Sequence, residues 1–248
     1  MFKNTSGSVG VAAAATMIVA LGFSAASCAS EKEVAAAADY TKMTPEALAE
    51  YLIFEAKGFK LDHPVQEGGV ARDRLVQDEL QKICTPLRGQ PADSESATKV
   101  IAMARESIKL PDGGIKLGDW KIGRELAWSG FGWRAGHRDD DHSKAKFGPG
   151  GNCYNCHQLA TDRTGGTIGP PLTNYGLRGT SDAILKYTYE VIYNPHAYFA
   201  CTNMPRFGAK GMLQPEQISH IMAYLLDPES PVNNPAAPIE ESGGETPE

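Results

Sequence analysis

The chain has 248 residues, with 30 acidic against 24 basic side chains and a formal net charge of −6 at pH 7. An acidic chain without a basic block is a poor partner for nucleic acid, which excludes that class of function. The length suits one or two domains, and five cysteines are few for a disulfide scaffold.

Lys3 precedes an Ala-rich apolar run from Val9 to Phe23, and small residues follow from Ser24 to Ser30. A basic start, an apolar stretch and a small-residue cleavage zone form the pattern of an export signal. The run falls short of the roughly 20 apolar residues that a membrane helix needs. Residues 1–29 therefore read as a signal peptide, and the mature protein as periplasmic. Cys28 leaves two outcomes open. Ala25-Ala26-Ser27-Cys28 resembles a bacterial lipoprotein cleavage site, with Ala25 where Leu is commoner, and would put a lipid anchor on Cys28. Ordinary cleavage near Ala29 would discard it. Membrane attachment follows only from the first.

Residues 30–117 read as a mobile Ala-rich segment and then a helical extension. Thr44 can cap a helix whose first position suits Pro45, with Leu48, Tyr51, Leu52 and Glu55 at helical spacing. A second helix is expected over Ala71–Cys84, with Leu75, Leu80 and Ile83 as its stripe. A third is expected over Ser94–Lys109, carried by Val100, Ile101, Met103 and Ile108. Gly89, Pro91, Pro111, Gly113 and Gly114 punctuate these segments.

A second block occupies residues 118–228. Its first helix is expected over Asp119–Trp128, and a polar, Gly-rich loop runs from Gly130 to Gly151. The last helix starts at Pro215, with Ile218, Ile221, Met222 and Leu225 on one face, and Pro228 stops it. Residues 229–248 are Pro-, Glu- and Gly-rich with little to bury, which predicts a disordered acidic tail. The fold expected is all-α.

Chemistry concentrates in Cys153-Tyr154-Asn155-Cys156-His157, a Cys-x-x-Cys-His sequence. That pattern is the signature of covalent c-type haem attachment, the two thiols bonding the vinyl groups and the histidine taking the iron. A redox dithiol would keep company with a βαβ pattern, and a zinc site would need two more ligands; neither is apparent. One covalent haem c is expected, on Cys153, Cys156 and His157. The sixth ligand decides between electron transfer and chemistry at iron, because methionine fills the site and raises the potential. Met204, Met212, Met222, His196 and His220 all follow the motif. Met222 belongs to the buried face of the last helix, and His220 reads as a surface residue. Met204, in the loop before that helix, is the expected ligand, with His196 and Met212 still open. His137, Asp139, Asp140, Asp141 and His142 read as a solvated charged loop rather than a metal site. Trp120, Trp128, Phe131 and Trp133 read as packing residues.

Several of these features resemble class I cytochromes c. Gly169-Pro170-Pro171-Leu172 resembles the segment in which a proline carbonyl faces the ligand histidine and a leucine touches the haem, which implies those roles for Pro170 and Leu172. Gly118-Asp119, Gly123 and Tyr224 match the first and last helices, where a glycine lets two helices cross with a ring alongside. The loop from Gly130 to Gly151 departs from that pattern.

The stretch from Gly151 to Pro228 resembles SoxX, the monohaem subunit of the SoxAX cytochromes of bacterial sulfur oxidation. The carrying runs are Gly151–Gln158, Gly166–Leu172, Tyr193–His196, Asn203-Met204-Pro205-Arg206-Phe207-Gly208 and Ile221–Pro228. That resemblance implies a heterodimer with a SoxA-like cytochrome subunit, which together joins thiosulfate oxidatively to a cysteine of the carrier SoxY. This chain would pass the electrons to a small periplasmic acceptor, and no catalytic residue is assigned to it. Arg206 beside a haem propionate would match guanidinium to carboxylate. Cys84 and Cys201 are expected to pair if Cys28 is removed or lipidated, tying the ligand loop to the extension. A free-standing shuttle, or an open-site haem enzyme or sensor, remain the alternatives.

Overall fold

Caps place the helix starts. In a computed structural model that describes residues 39–56, 58–65, 68–129 and 147–237, the chain divides after Leu48 into two units. Within the first, a 3-10 turn, Tyr40–Lys42, is capped by Asp39, and Thr44 Oγ1 accepts the Ala47 N–H at 3.2 Å at the start of α1, Pro45–Glu50. The helix passes into a π-helical turn, Tyr51–Glu55. The export signal, the loop around His137 to His142, Phe131 and Trp133 lie outside the described residues.

The second unit, from Ala49 onward, holds the remaining helices: α2 Arg72–Leu75, α3 Glu79–Cys84, α4 Ser94–Glu106, α5 Trp120–Trp128, α6 Asp182–Tyr193 and α7 Pro215–Leu226. No strand occurs among the described residues, only an isolated bridge between Pro64 and Val70. The architecture is all-α. The helix expected over 71–84 is two helices. Asp78 breaks it by taking the N-cap of α3: its Oδ1 accepts the Gln81 N–H at 2.9 Å, and Gln81 Oε1 accepts the Asp78 N–H at 3.0 Å. This reciprocal box satisfies two donors that a continuous helix would have used otherwise. α4 starts on Asp93, which accepts the Ser96 N–H at 2.9 Å, and stops at Ser107 rather than Lys109. There the Ser107 hydroxyl donates to Ala104 O at 2.6 Å. α6 has no counterpart among the elements expected above, although Leu185, Thr188, Tyr189 and Ile192 share one face.

The core forms where α5 crosses α7, with α6 packed beside them. Leu126, Tyr189, Ile218, Ile221, Met222, Tyr224 and Leu226 are fully buried there. Gly123 makes the crossing possible: a Cβ at this position would overlap the His220 carbonyl and touch Tyr224. Two bonds lock the register, Gly118 N–H to Ser219 O at 3.0 Å and Asp119 N–H to His220 Nδ1 at 2.8 Å. His220, expected on the surface, thus tethers the start of α5. Residues on the N-terminal side of Gly118 share this core. Ile108, Ile115 and Leu117 pack against it, and the buried Tyr189 hydroxyl donates to Lys109 O at 2.7 Å.

Of the tail expected to be disordered over 229–248, residues 229–237 are packed onto the fold, and 238–248 lie outside the described residues. Ser230 and Val232 are buried, and the described structure runs to Ala237. The cause is Asn233. Its amide donates to Leu225 O at 3.0 Å and Asp227 O at 2.8 Å, and its carbonyl accepts the Gly176 N–H at 2.7 Å. One side chain therefore satisfies carbonyls freed at the end of α7 and ties the chain to the turn Tyr175–Arg178.

Candidate haem-binding site

The Cys-x-x-Cys-His run begins beside the C-terminal end of α5. Gly151 N–H bonds Leu126 O at 2.7 Å, and Asn152 takes a left-handed conformation, φ 46°, that turns the chain into a short 3-10 turn, Cys153–Asn155. Asparagine tolerates that conformation better than most residues. Cys153 O then accepts both the Cys156 N–H at 3.1 Å and the His157 N–H at 2.9 Å. This tight turn ties the backbone of both cysteines and the histidine to one carbonyl. Cys153 and Cys156 are not joined to each other. Burial pushes the Cys153 thiol up to about 12, so it stays protonated at neutral pH.

The following segment wraps back onto the motif. Gly166 N–H bonds Tyr154 O at 2.7 Å, Gly169 N–H bonds Cys156 O at 2.8 Å, and Leu172 N–H bonds Gln158 O at 2.7 Å. His157 Nδ1 lies 2.8 Å from Pro170 O. A carbonyl can only accept, so Nδ1 carries the proton and the Nε2 lone pair is left for a metal. Gly169 is bare against the imidazole, and a Cβ there would overlap the ring. Leu172, Cys153 and Met204 all pack, partly buried, against the same core.

Two residues not assigned a role from sequence hold this cradle. Gln158 Nε2 donates to Ala160 O at 2.6 Å and Arg163 O at 2.8 Å, and its Oε1 accepts the Gly165 N–H at 2.8 Å. Tyr154 meets Tyr224 hydroxyl to hydroxyl at 2.7 Å, and desolvation raises both phenols. Trp128 sets its edge against Tyr154 at 5.5 Å, and the Arg163 guanidinium lies 3.6 Å above the Trp128 ring. A tyrosine inside the motif carries no signal of this role, because Tyr224 lies 70 positions away; the Gln158 partners are local, within seven residues, but no side-chain pattern marks backbone groups.

Met204 stands on the loop between α6 and α7, partly buried against the same core as Leu172 and Cys153. Phe207 and Leu213, on the same loop, pack close to Gly151. Of the other candidates, Met222 is buried in α7, Met212 packs against the core, and His220 is engaged with Asp119. His196 is buried, with its Nδ1 unpaired, and desolvation lowers it to about 4, so its ring is neutral at pH 7. The Arg206 guanidinium, expected beside a haem propionate, pairs with Asp78 at 2.9 Å, a carboxylate partner within the chain. Cys84 and Cys201 are joined by a disulfide, Cα to Cα 5.2 Å.

The residues present fit a covalently held haem: two unpaired thiols, an oriented imidazole with a lone pair on Nε2, and Gly169 packed so closely on the imidazole that no Cβ would fit. Comparison with known proteins agrees. A family described as Cytochrome c matches residues 145–227. A protein of Aquifex aeolicus (strain VF5) described as "Uncharacterized lipoprotein" is 41% identical over 161 residues, which cover 64% of this chain and 73% of that protein. No helix among the described residues is long and apolar enough to cross a membrane.

Proposed function

From the premise that this chain belongs to the cytochrome c family, and so transfers electrons through a covalent haem c, we propose residue roles and a physiological setting. Cys153 and Cys156 would hold the haem as thioethers to its vinyl groups. His157 would ligate the iron through Nε2, while Pro170 O fixes the ring through Nδ1. Met204 would supply the second protein ligand, its thioether sulfur, which would leave no position open to exchangeable ligands. When bound, the haem supplies a one-electron couple, and methionine opposite histidine holds that couple at higher potential. Leu172 excludes water beside the macrocycle. The observation that carries this reading is the 2.8 Å contact between His157 Nδ1 and Pro170 O, with Gly169 bare against the ring.

The setting is the SoxAX-like one. This chain acts as the electron-accepting subunit beside a SoxA-like cytochrome, in a complex that joins thiosulfate to a cysteine of a SoxY-type carrier. Forming that sulfur–sulfur bond releases two electrons and the thiol proton. The electrons leave through this chain one at a time to a small periplasmic acceptor. Support comes from the run Asn203–Gly208 and from the ends of the domain at Gly151 and Pro228. Export with a lipid on Cys28 is the reading favoured by the relative described as a lipoprotein.

Haem staining of the denatured mature protein, with mass analysis of the peptide spanning 153–157, tests the cofactor roles. A peptide without porphyrin mass would end them. Affinity purification of the full chain from thiosulfate-grown cells tests the setting. A second cytochrome subunit in the eluate supports it, whereas elution alone at its own mass leaves a free-standing shuttle.

A further inference from the structure

The loop that carries Met204 is tied at its far end, where Gly208 and Ala209 N–H both bond Tyr193 O at 3.1 Å, but the stretch from Cys201 to Pro205 has few bonds of its own. Cys201 sits at φ 57°, an uncommon conformation for a residue with a side chain. Met204 N–H reaches Thr202 Oγ1 only at 3.4 Å. Facing the loop is a cavity of about 330 Å³, lined on one side by Leu80, Cys84 and Leu87 and on the other by Thr202, Met204 and Arg206. Packing does not bridge such a gap, since atoms across an empty space lose their dispersion contacts.

What spans the gap is bonded. On one side of Met204 the Cys84–Cys201 disulfide fixes the chain to the end of α3. On the other, Asp78 at the start of α3 takes Arg206 at 2.9 Å and Lys210 at 2.6 Å. Behind these, Ala197 is fully buried against Leu80, Val100 and Ala104, with Tyr198 and Ala200 alongside. Asn194 donates to Ser107 Oγ at 2.8 Å. Both ends of the short segment between Cys201 and Arg206 are thus pinned to one six-residue helix, Glu79–Cys84, and its cap.

We propose that the extension is a positioning device for the sixth ligand: Asp78 and the Cys84–Cys201 disulfide clamp the Met204 loop against the haem and set how often the methionine leaves the iron. The proposal rests on the reading of Met204 as an iron ligand. Asp78 and Cys84 touch neither haem nor substrate; they act through the backbone on either side of Met204. The loop has a closed state, with sulfur on iron, and an open state in which the site accepts another ligand. Apparent affinity for that ligand scales with the population of the open state. Releasing either anchor frees backbone dihedrals in the open state and favours it.

The test uses full-length holoprotein in its oxidised form and imidazole as probe. Four proteins are compared: wild type, Asp78→Asn, the double variant Cys84→Ser/Cys201→Ser, and Met204→Ala. Asparagine caps helices as well as aspartate does, so Asp78→Asn keeps α3 while removing the charge. The weak red absorption band of methionine-ligated ferric haem reports the closed state. Imidazole binding is expected to tighten about threefold to tenfold in Asp78→Asn and by more than about tenfold in the disulfide variant, a tenfold change being about 1.4 kcal/mol of loop opening. The band should persist in both variants without imidazole. Unchanged imidazole affinity in both, with only the melting temperature lowered, would overturn the clamp and leave a structural tie. A wild type without the red band, binding imidazole no more weakly than Met204→Ala, would instead overturn Met204 as ligand.

Discussion

Asp78 shows how much one residue can carry. Its carboxylate caps α3 and receives Arg206 and Lys210. Burial works to raise it, but the Lys210 ammonium, the Gln81 N–H and the Arg206 guanidinium outweigh that and hold it at about 2 against an ordinary 3.8. A carboxylate whose folded value lies below its unfolded value contributes stability above pH 3.8, and that contribution fades as pH falls towards 2. Because about a third of the side chain is exposed, screening cuts the contribution to on the order of 1 kcal/mol. Asp78→Asn should therefore lower the unfolding free energy by that order at pH 7. The gap to wild type should narrow as pH falls from about 4 and be mostly gone at about pH 2, where the folded carboxylate is half protonated, read as urea midpoints across pH. A gap at pH 2 as large as that at pH 7 would mean that Asn disturbs the cap rather than the charge. The contrast with Cys153, Cys156, His157 and Pro170 is instructive. Attachment chemistry requires the thiols and the imidazole to be neighbours in the chain, so the sequence displays them together. Asp78 and Lys210 stand 132 positions apart, and no local pattern joins them. Arg206 was expected beside a haem carboxylate, and its pairing with Asp78 at the cap of α3 could not be read from any local pattern.

Elements are legible where their own chemistry decides them and illegible where a distant partner does. α4, α5 and α7 begin on residues whose side chains or ring geometry favour a helix start, and their apolar spacing names the buried face. The break at Val76 to Asp78 contains neither glycine nor proline, so a periodic stripe through Leu75 and Leu80 suggests one helix where capping makes two. Residues 229–237 have the composition of a disordered tail, yet the amide of Asn233 matches carbonyls at the end of α7 and an N–H from the turn at Gly176. The crossing of α5 and α7 belongs to the first kind, because a single glycine in an otherwise good helix asks for a packing reason. The backbone of His220 occupies the space a Cβ would need at Gly123, and backbone cannot rotate away as a side chain tip can. Gly123→Ala should gain from better helix propensity, up to about 1 kcal/mol. It should lose more, about 1–3 kcal/mol, by forcing the helices apart. Net destabilisation in a denaturant series is the expected result, with the haem spectrum unchanged. A stabilised Gly123→Ala would show that the helices have room to part.

At the scale of the larger unit, residues 78–117 are held to the haem domain by a covalent tie, the ion pairs at Asp78, hydrogen bonds from Tyr189 and Asn194 and a shared apolar contact. The disulfide joins positions 117 apart in sequence, and the span it closes contains α4, α5 and the Cys-x-x-Cys-His motif. Closing a loop of that length removes much of the freedom of the unfolded chain. The chain-entropy model assigns about 5 kcal/mol to it, and measured values for native bridges run at about 2–4 kcal/mol. Thioethers to the haem fix Cys153 and Cys156 to each other and leave that long span open, so they do not duplicate the constraint. In the holoprotein, Cys84→Ser/Cys201→Ser should therefore lose about 2–4 kcal/mol. For a chain of this size each kilocalorie shifts the melting temperature by about 2–4 °C, which places the expected fall at about 5–15 °C in a calorimetric scan. The loss should appear as a lower midpoint of a single transition, because Ile108, Ile115 and Leu117 share the core of α5 to α7 and couple the two parts without the bridge. Two separated transitions would show the opposite, that sulfur alone makes one cooperative body of the extension and the haem domain. A fall of less than about 2 °C, under 1 kcal/mol at this size, would place the bridge among strained or redundant ties whose native-state cost cancels their entropy.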